Sequence, residues 1–162
     1  MPEAERYIAH YRQRFDPSAR RNVPAHVTIL YPFMAPGLID AEVLATLARI
    51  TNAVPRFNYR LARTERFPVA LYLAPDPGAP FNALMDGIFA AFPDYPPFEG
   101  KFETVVPHVT VAHGDEPLLC EIDVELRIAL PGAGVQANCS ELVLIENASG
   151  RWEQMHVFAL GA

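Results

Sequence analysis

No stretch of this sequence approaches the roughly 20 consecutive apolar residues that cross a bilayer as a helix. Its polar opening, Met1 to Phe15, also lacks the apolar core of a secretory signal. Neither membrane association nor secretion is therefore expected, and a cytoplasmic location is. Cysteine is scarce: there are two, Cys120 and Cys139, with no Cys-x-x-Cys pair and no zinc spacing. Both are expected reduced and at least partly buried, although count alone leaves a disulfide open. Positive charge is scarce in one half. Residues 1–81 hold ten arginines against seven acids, whereas residues 82–162 hold only Lys101, Arg127 and Arg151 against twelve. With a net charge of −6, the chain offers at most a local basic patch. That argues against coating long nucleic acid, which needs a continuous basic face.

What is present is ordinary for a globular protein: 162 residues, 51% hydrophobic and 20% charged. At roughly 100–200 residues per domain, residues 1–162 are expected to form a single domain. Tyr7, Ile8, Tyr11 and Phe15 recur at helical spacing and predict a helix over 3–15, ended by Asp16-Pro17. Val23–Tyr31 reads as a strand. A helix capped by Asp40 runs to about Asn52. Residues 56–66 and 69–74 read as strands broken at Pro68. Phe81, Leu84, Met85, Ile88, Phe89 and Phe92 give another helical stripe, and a proline-rich loop leads to a strand near 104–112. Residues 118–130 fit a strand or a helix equally. Ser140–Glu146 and Trp152–Leu160 read as strands joined by a turn at 147–150. The interleaving makes the class α+β or mixed α/β.

One short segment occurs twice: Val23-Pro24-Ala25-His26-Val27-Thr28-Ile29 and Val106-Pro107-His108-Val109-Thr110-Val111. About 0.2 His-x-Thr matches are expected by chance in a chain with five His and six Thr. On a strand, residues i and i+2 share a face, so His26 neighbours Thr28 and His108 neighbours Thr110. Two similar halves facing each other would bring both pairs to one groove. Two imidazoles there suit a general base and a general acid, because their ordinary pKa near 6.5 lies close to working pH. Two hydroxyls can donate to phosphoryl oxygens. Nothing in this scheme calls for a metal or cofactor. His10, His113 and His156 have no such partner and are read as ordinary surface, loop or edge residues.

These residues resemble the 2H phosphoesterases, and within them the 2′-5′ RNA ligase and cyclic phosphodiesterase group. The resemblance rests on His26-Val27-Thr28 with Leu30-Tyr31-Pro32-Phe33, on His108-Val109-Thr110, and on Gly150-Arg151-Trp152 with Phe158-Ala159-Leu160-Gly161. It implies an α+β fold of two pseudo-symmetric lobes, each an antiparallel sheet with helices outside, around a central cleft. It favours helix for 118–130. Members like this begin with an apolar strand ahead of the first helix, and here Met1 falls at the helix entry.

The resemblance also implies hydrolysis, or reversible ligation, of 2′,3′-cyclic phosphate or 2′-5′ linkages at an RNA end or on a small nucleotide. His26 and His108 would be acid and base, and Thr28 and Thr110 would hold the phosphate. Arg66 or Arg63 would supply positive charge, and Tyr31 and Tyr72 would stack a base. Two other readings stand beside it. One is a nucleotide-binding module without turnover. The other is a metal-dependent hydrolase, disfavoured because each His is followed by Thr and not by a second ligand.

Overall fold

The helical stripes and the alternating segments sort onto two antiparallel sheets. The computed structural model describes residues 1–162. Helix α1 spans Pro2–Phe15 and is followed at once by a one-turn helix α2, Pro17–Arg20, capped by the Asp16 carboxylate, which accepts from Ser18 N. Helix α3, Ala41–Asn52, begins at Asp40, whose Oδ1 accepts from Glu42 N and Val43 N. Strands β1, Phe57–Phe67, and β2, Ala70–Asp76, form a hairpin. Helix α4, Ala79–Ala91, and strand β3, Val109–His113, follow. Helix α5 covers Glu116–Ala129. Strands β4, Val135–Cys139, β5, Glu141–Glu146, and β6, Glu153–Ala159, complete the chain.

The larger sheet has the order β3-β2-β1-β4 with every pair antiparallel, and β5-β6 form a separate two-stranded sheet. The architecture is α+β. The core lies where α1 and α5 cover the larger sheet: Ile8, Leu61, Leu71, Leu73, Val109, Val111, Leu119 and Leu126 are all fully enclosed. Each such aliphatic side chain contributes about 1.5–3 kcal/mol by leaving water. Between β4 and the hairpin, Gly134 adopts φ +78, and a Cβ there would lie 2.6 Å from the Ala62 Cβ. Glycine lets β4 start against the bulge in β1, which falls between Leu61 and Arg63.

Burial decides the ambiguous segment. In α5, Leu119, Ile122 and Leu126 are buried, whereas Ile128 is 81% exposed. A strand would have turned Val124 and Ile128 to the same side as Ile122, but both are exposed. Three expectations need correction. Residues 23–31 form no strand. Their alternation survives only in part, with Val23, Ala25 and Ile29 buried and His26, Val27 and Thr28 all half-exposed, and no neighbouring strand supplies a ladder. The second motif strand starts at Val109, one residue after His108, because Pro107 has no N–H to donate. The cysteines are unpaired, and Cys120 is exposed on α5, not buried. Strand β4 is an addition to the expected elements: Val-Gln-Ala-Asn-Cys does alternate, but it is only five residues long and its apolar positions include the small Ala137 and Cys139, so its pairing with β1 is what defines it. No helix is long and apolar enough to cross a membrane.

Candidate active site

The two histidines are held alike. His26 Nδ1 lies 2.9 Å from the carbonyl oxygen of Pro24, and His108 Nδ1 lies 2.7 Å from that of Val106, each two residues upstream. A carbonyl only accepts, so Nδ1 of each ring carries the proton. In the neutral ring the lone pair is then on Nε2, on the side away from the backbone. Burial pushes the pKa of both below the ordinary 6.5. The imidazoles are near enough that charge on His108 further disfavours charge on His26.

What surrounds them differs. His108 packs against aromatic rings: Phe67 edge-on with centroids 5.0 Å apart, and Tyr72 at 5.4 Å. Tyr72 is 4% exposed, stacks on Phe67 at 4.4 Å, and donates its hydroxyl to Glu65 Oε2 at 3.0 Å. Burial first, and then Glu65, raise its phenol to about 12. The register pairs Glu65 with Tyr72 and Tyr72 with Thr110, which puts this cluster on one face of the sheet.

His26 sits beside buried charge. Arg12, 2% exposed, donates from Nε and Nη2 to Asp16 Oδ2 at 3.0 and 2.9 Å. It also reaches Ser18 Oγ at 3.1 Å, Val23 O at 3.1 Å and Glu5 Oε1 at 3.2 Å. Glu5 accepts in turn from the Ala25 amide. Arg12 pushes the His26 pKa down and Asp16 pulls it up.

The other expected site residues are distributed unevenly. Thr28 and Thr110 each stand two residues after their histidine and are half-exposed. Tyr31 is exposed and meets Trp152 edge-on at 6.1 Å. The Trp152 segment docks beside the first motif, with Trp152 N donating to Arg21 O at 2.9 Å. Tyr72, expected to stack a base, is enclosed with one ring face on Phe67, so it supports His108 from beneath. Arg66 is drawn to α5, where its guanidinium meets Glu116 Oε1 at 2.8 Å and Asp123 Oδ2 at 3.3 Å. Glu65, its neighbour on β1, turns the opposite way to reach Tyr72, so Arg66 lies off the histidine face. Arg63 stays exposed, 3.8 Å from Glu65 Oε1. Glu5, Arg12 and Phe67 escape a reading of the sequence. Arg12 leaves one signal there, since it falls four residues after Ile8, on the apolar stripe of its helix.

The fold and paired motif now meet their relatives. Residues 1–151 match the model of the 2′-5′ RNA ligase superfamily. The chain belongs to that superfamily. A Bacillus pumilus (strain SAFR-032) protein, provisionally named a phosphoesterase, is 34% identical over 106 residues, which cover 63% of this chain and 58% of that protein's length. A Geobacillus kaustophilus (strain HTA426) protein of the same provisional name is 26% identical over 156 residues, covering 93% of this chain and 86% of that one. Among solved structures, E. coli LigT complexed with 3′-AMP superposes with a TM-score of 0.64 at 18% identity, over 99% of this chain and 92% of LigT. The protein TT0787 of Thermus thermophilus gives 0.57 at 21% identity, over 85% and 80% of the two chains. These structural likenesses establish the shared fold. Family and fold together support a phosphoesterase of the 2′-5′ RNA ligase type.

Proposed function

We propose that this member of the superfamily opens a 2′,3′-cyclic phosphate, at an RNA end or on a small nucleotide, by acid/base catalysis between His26 and His108. The observation that carries the reading is the matched pair of Nδ1–carbonyl contacts, which leaves both Nε2 atoms free, each histidine being followed two residues later by a half-exposed threonine. One neutral imidazole takes a proton from water as the oxygen attacks phosphorus. The bond from phosphorus to one ribose oxygen breaks, and the other imidazole, starting protonated, gives that oxygen its proton. The two rings exchange protonation states, and Thr28 and Thr110 donate to the non-bridging oxygens. Run backwards, the same groups join the linkage. Neither step calls on a metal or cofactor.

A small substrate is favoured by the acidic second half of the chain. Tyr31, exposed beside Trp152 and near the first motif, is the candidate stacking surface for a base. Solved structures of LigT with 3′-AMP, NADP+ and ATP support nucleotide ligands for this fold.

The test is turnover of nucleoside 2′,3′-cyclic phosphates and cyclic-phosphate-ended oligonucleotides in excess EDTA, beside His26→Ala and His108→Ala. Each variant is expected to lose roughly 10²–10⁴ in rate. A folded native chain that is inert on the whole panel but retains nucleotide affinity would replace this reading with a binding module. Activity abolished by EDTA would replace it with a metal-dependent hydrolase.

A further inference from the structure

We propose that Glu5 and Arg12 of α1 are positioning residues for His26, clamping the two residues that flank Pro24 and so aiming the carbonyl that holds the imidazole's Nδ1 proton. Pro24 cannot donate a backbone hydrogen bond, so nothing on its own amide fixes it. Its neighbours are fixed instead. Arg12 Nη2 donates to Val23 O at 3.1 Å, and the Ala25 amide donates to Glu5 Oε1. The Met1 amine adds a third tie, 3.0 Å from Ala25 O. Residues 23–31 lie outside any sheet, so these ties take the place of a strand ladder.

The clamp is itself rigid. Arg12 spans Asp16, Ser18, Val23 and Glu5 at once, with Arg12 and Asp16 both enclosed. Its planar fork is suited to such multiple contacts, which a lysine cannot duplicate. The charged groups acting on His26 are Arg12 and Asp16 from the α1 side and His108 from the facing motif. The second motif has no counterpart. Around Val106 and Pro107 no side-chain charge grips the backbone, and the His108 ring rests on Phe67 and Tyr72. The first histidine is aimed through its backbone and the second through its ring.

That positioning serves catalysis rests on the two-histidine reading, but the positioning can be read without turnover. Long-range 1H–15N spectra of the full chain at about pH 8, above the titration range of histidine, report which ring nitrogen bears hydrogen. Signals are assigned by comparison with His26→Asn and His108→Asn. The native chain is expected to show the Nδ1–H tautomer at both positions. Glu5→Ala is expected to give a mixture at His26 and no change at His108. Glu5→Gln, whose amide oxygen can still accept from Ala25, is expected to restore most of the native signal. Glu5 is 30% exposed, so these variants spare the buried part of the cluster.

Arg12→Lys provides an independent arm, with the same selective shift expected at His26. On an active substrate, Glu5→Ala is expected to lower kcat by about tenfold to a hundredfold with KM little changed, since misplacement by about 1 Å is enough for that. A folded Glu5→Ala or Arg12→Lys chain with the native tautomer at His26 would overturn the proposal. So would equal shifts at both histidines, the mark of general loosening. A chain inert on every substrate would remove the catalytic reading and leave the tautomer result to decide the clamp.

Discussion

Removing the Arg12 side chain tests the energetics of the first motif most directly. The guanidinium is 2% exposed and makes five hydrogen bonds, two to Asp16 and one each to Glu5, Ser18 and Val23. The Asp16 side chain is 3% exposed, so Arg12→Ala leaves a carboxylate enclosed without its cation. Breaking a buried pair from one side costs about 3–5 kcal/mol, mostly the penalty of the charge left behind. Against a total stability of about 5–15 kcal/mol, that is about a fifth of the fold or more. At roughly 2–4 °C per kcal/mol for a chain of this length, Tm falls by about 6–20 °C.

Urea and thermal melts at neutral pH measure the change, with the urea m value held as the check on two-state unfolding. Arg12→Met combined with Asp16→Ala removes both charges and is expected to cost less than Arg12→Ala alone, though it deletes more atoms. A loss under about 1 kcal/mol for Arg12→Ala would refute the account, because it would mean that Asp16 is well solvated or paired without its cation. So would a double variant less stable than the single one.

Three further outcomes follow from the geometry. Burial holds both imidazoles below the ordinary pKa of 6.5, so below that pH the unfolded chain binds protons that the folded chain refuses. Stability should therefore fall as pH drops from about 6.5 through the folded values, and kcat/KM for a cyclic phosphate should peak on the acid side of 6.5; a melt series and a pH–rate profile check both, and a peak well above neutrality would refute the protonation scheme. Gly134→Ala should cost about 1–3 kcal/mol from the positive φ alone, and more where the new Cβ meets Ala62, whereas Gly132→Ala, with nothing within 4 Å, should stay within about 0.5 kcal/mol in the same melts. Tyr72→Phe keeps the ring under His108 and should lose only the Glu65 hydrogen bond, about 0.5–1.5 kcal/mol of stability with kcat/KM nearly native; a large loss of activity would show that the hydroxyl itself serves the reaction.

Much of this is legible without coordinates. Helices α1, α3 and α4 follow from apolar residues at helical spacing, and α3 from its Asp40 cap. The β1-β2 hairpin follows from two strand-like runs broken at Pro68. The repeated His-Val-Thr is a matter of spelling, and it leads to the superfamily that the comparisons establish. Other features are hidden because they depend on partners distant in the chain. Residues 23–31 have strand composition, but a strand exists only where another supplies its ladder, and here α1 side chains take that place. Strand β4 is held by pairing with β1, which its short run of small apolar and amide residues does not advertise. Arg66 is drawn to α5 by Glu116 and Asp123, a choice settled by which helix packs over β1.

What the sequence determined by itself is local: which segments coil, where they stop, and that two histidines are each followed two residues later by a threonine. Period, capping and proline act within a few residues, so they can be read along the chain. What only the tertiary structure decided is the company each group keeps. Tyr72 became a support under His108, and Arg12, a surface residue type, became the enclosed clamp of the first motif. Burial and charge pairing depend on distance in space, and residues 12, 16 and 23 meet only because α1 folds back on the strand-like segment that follows it.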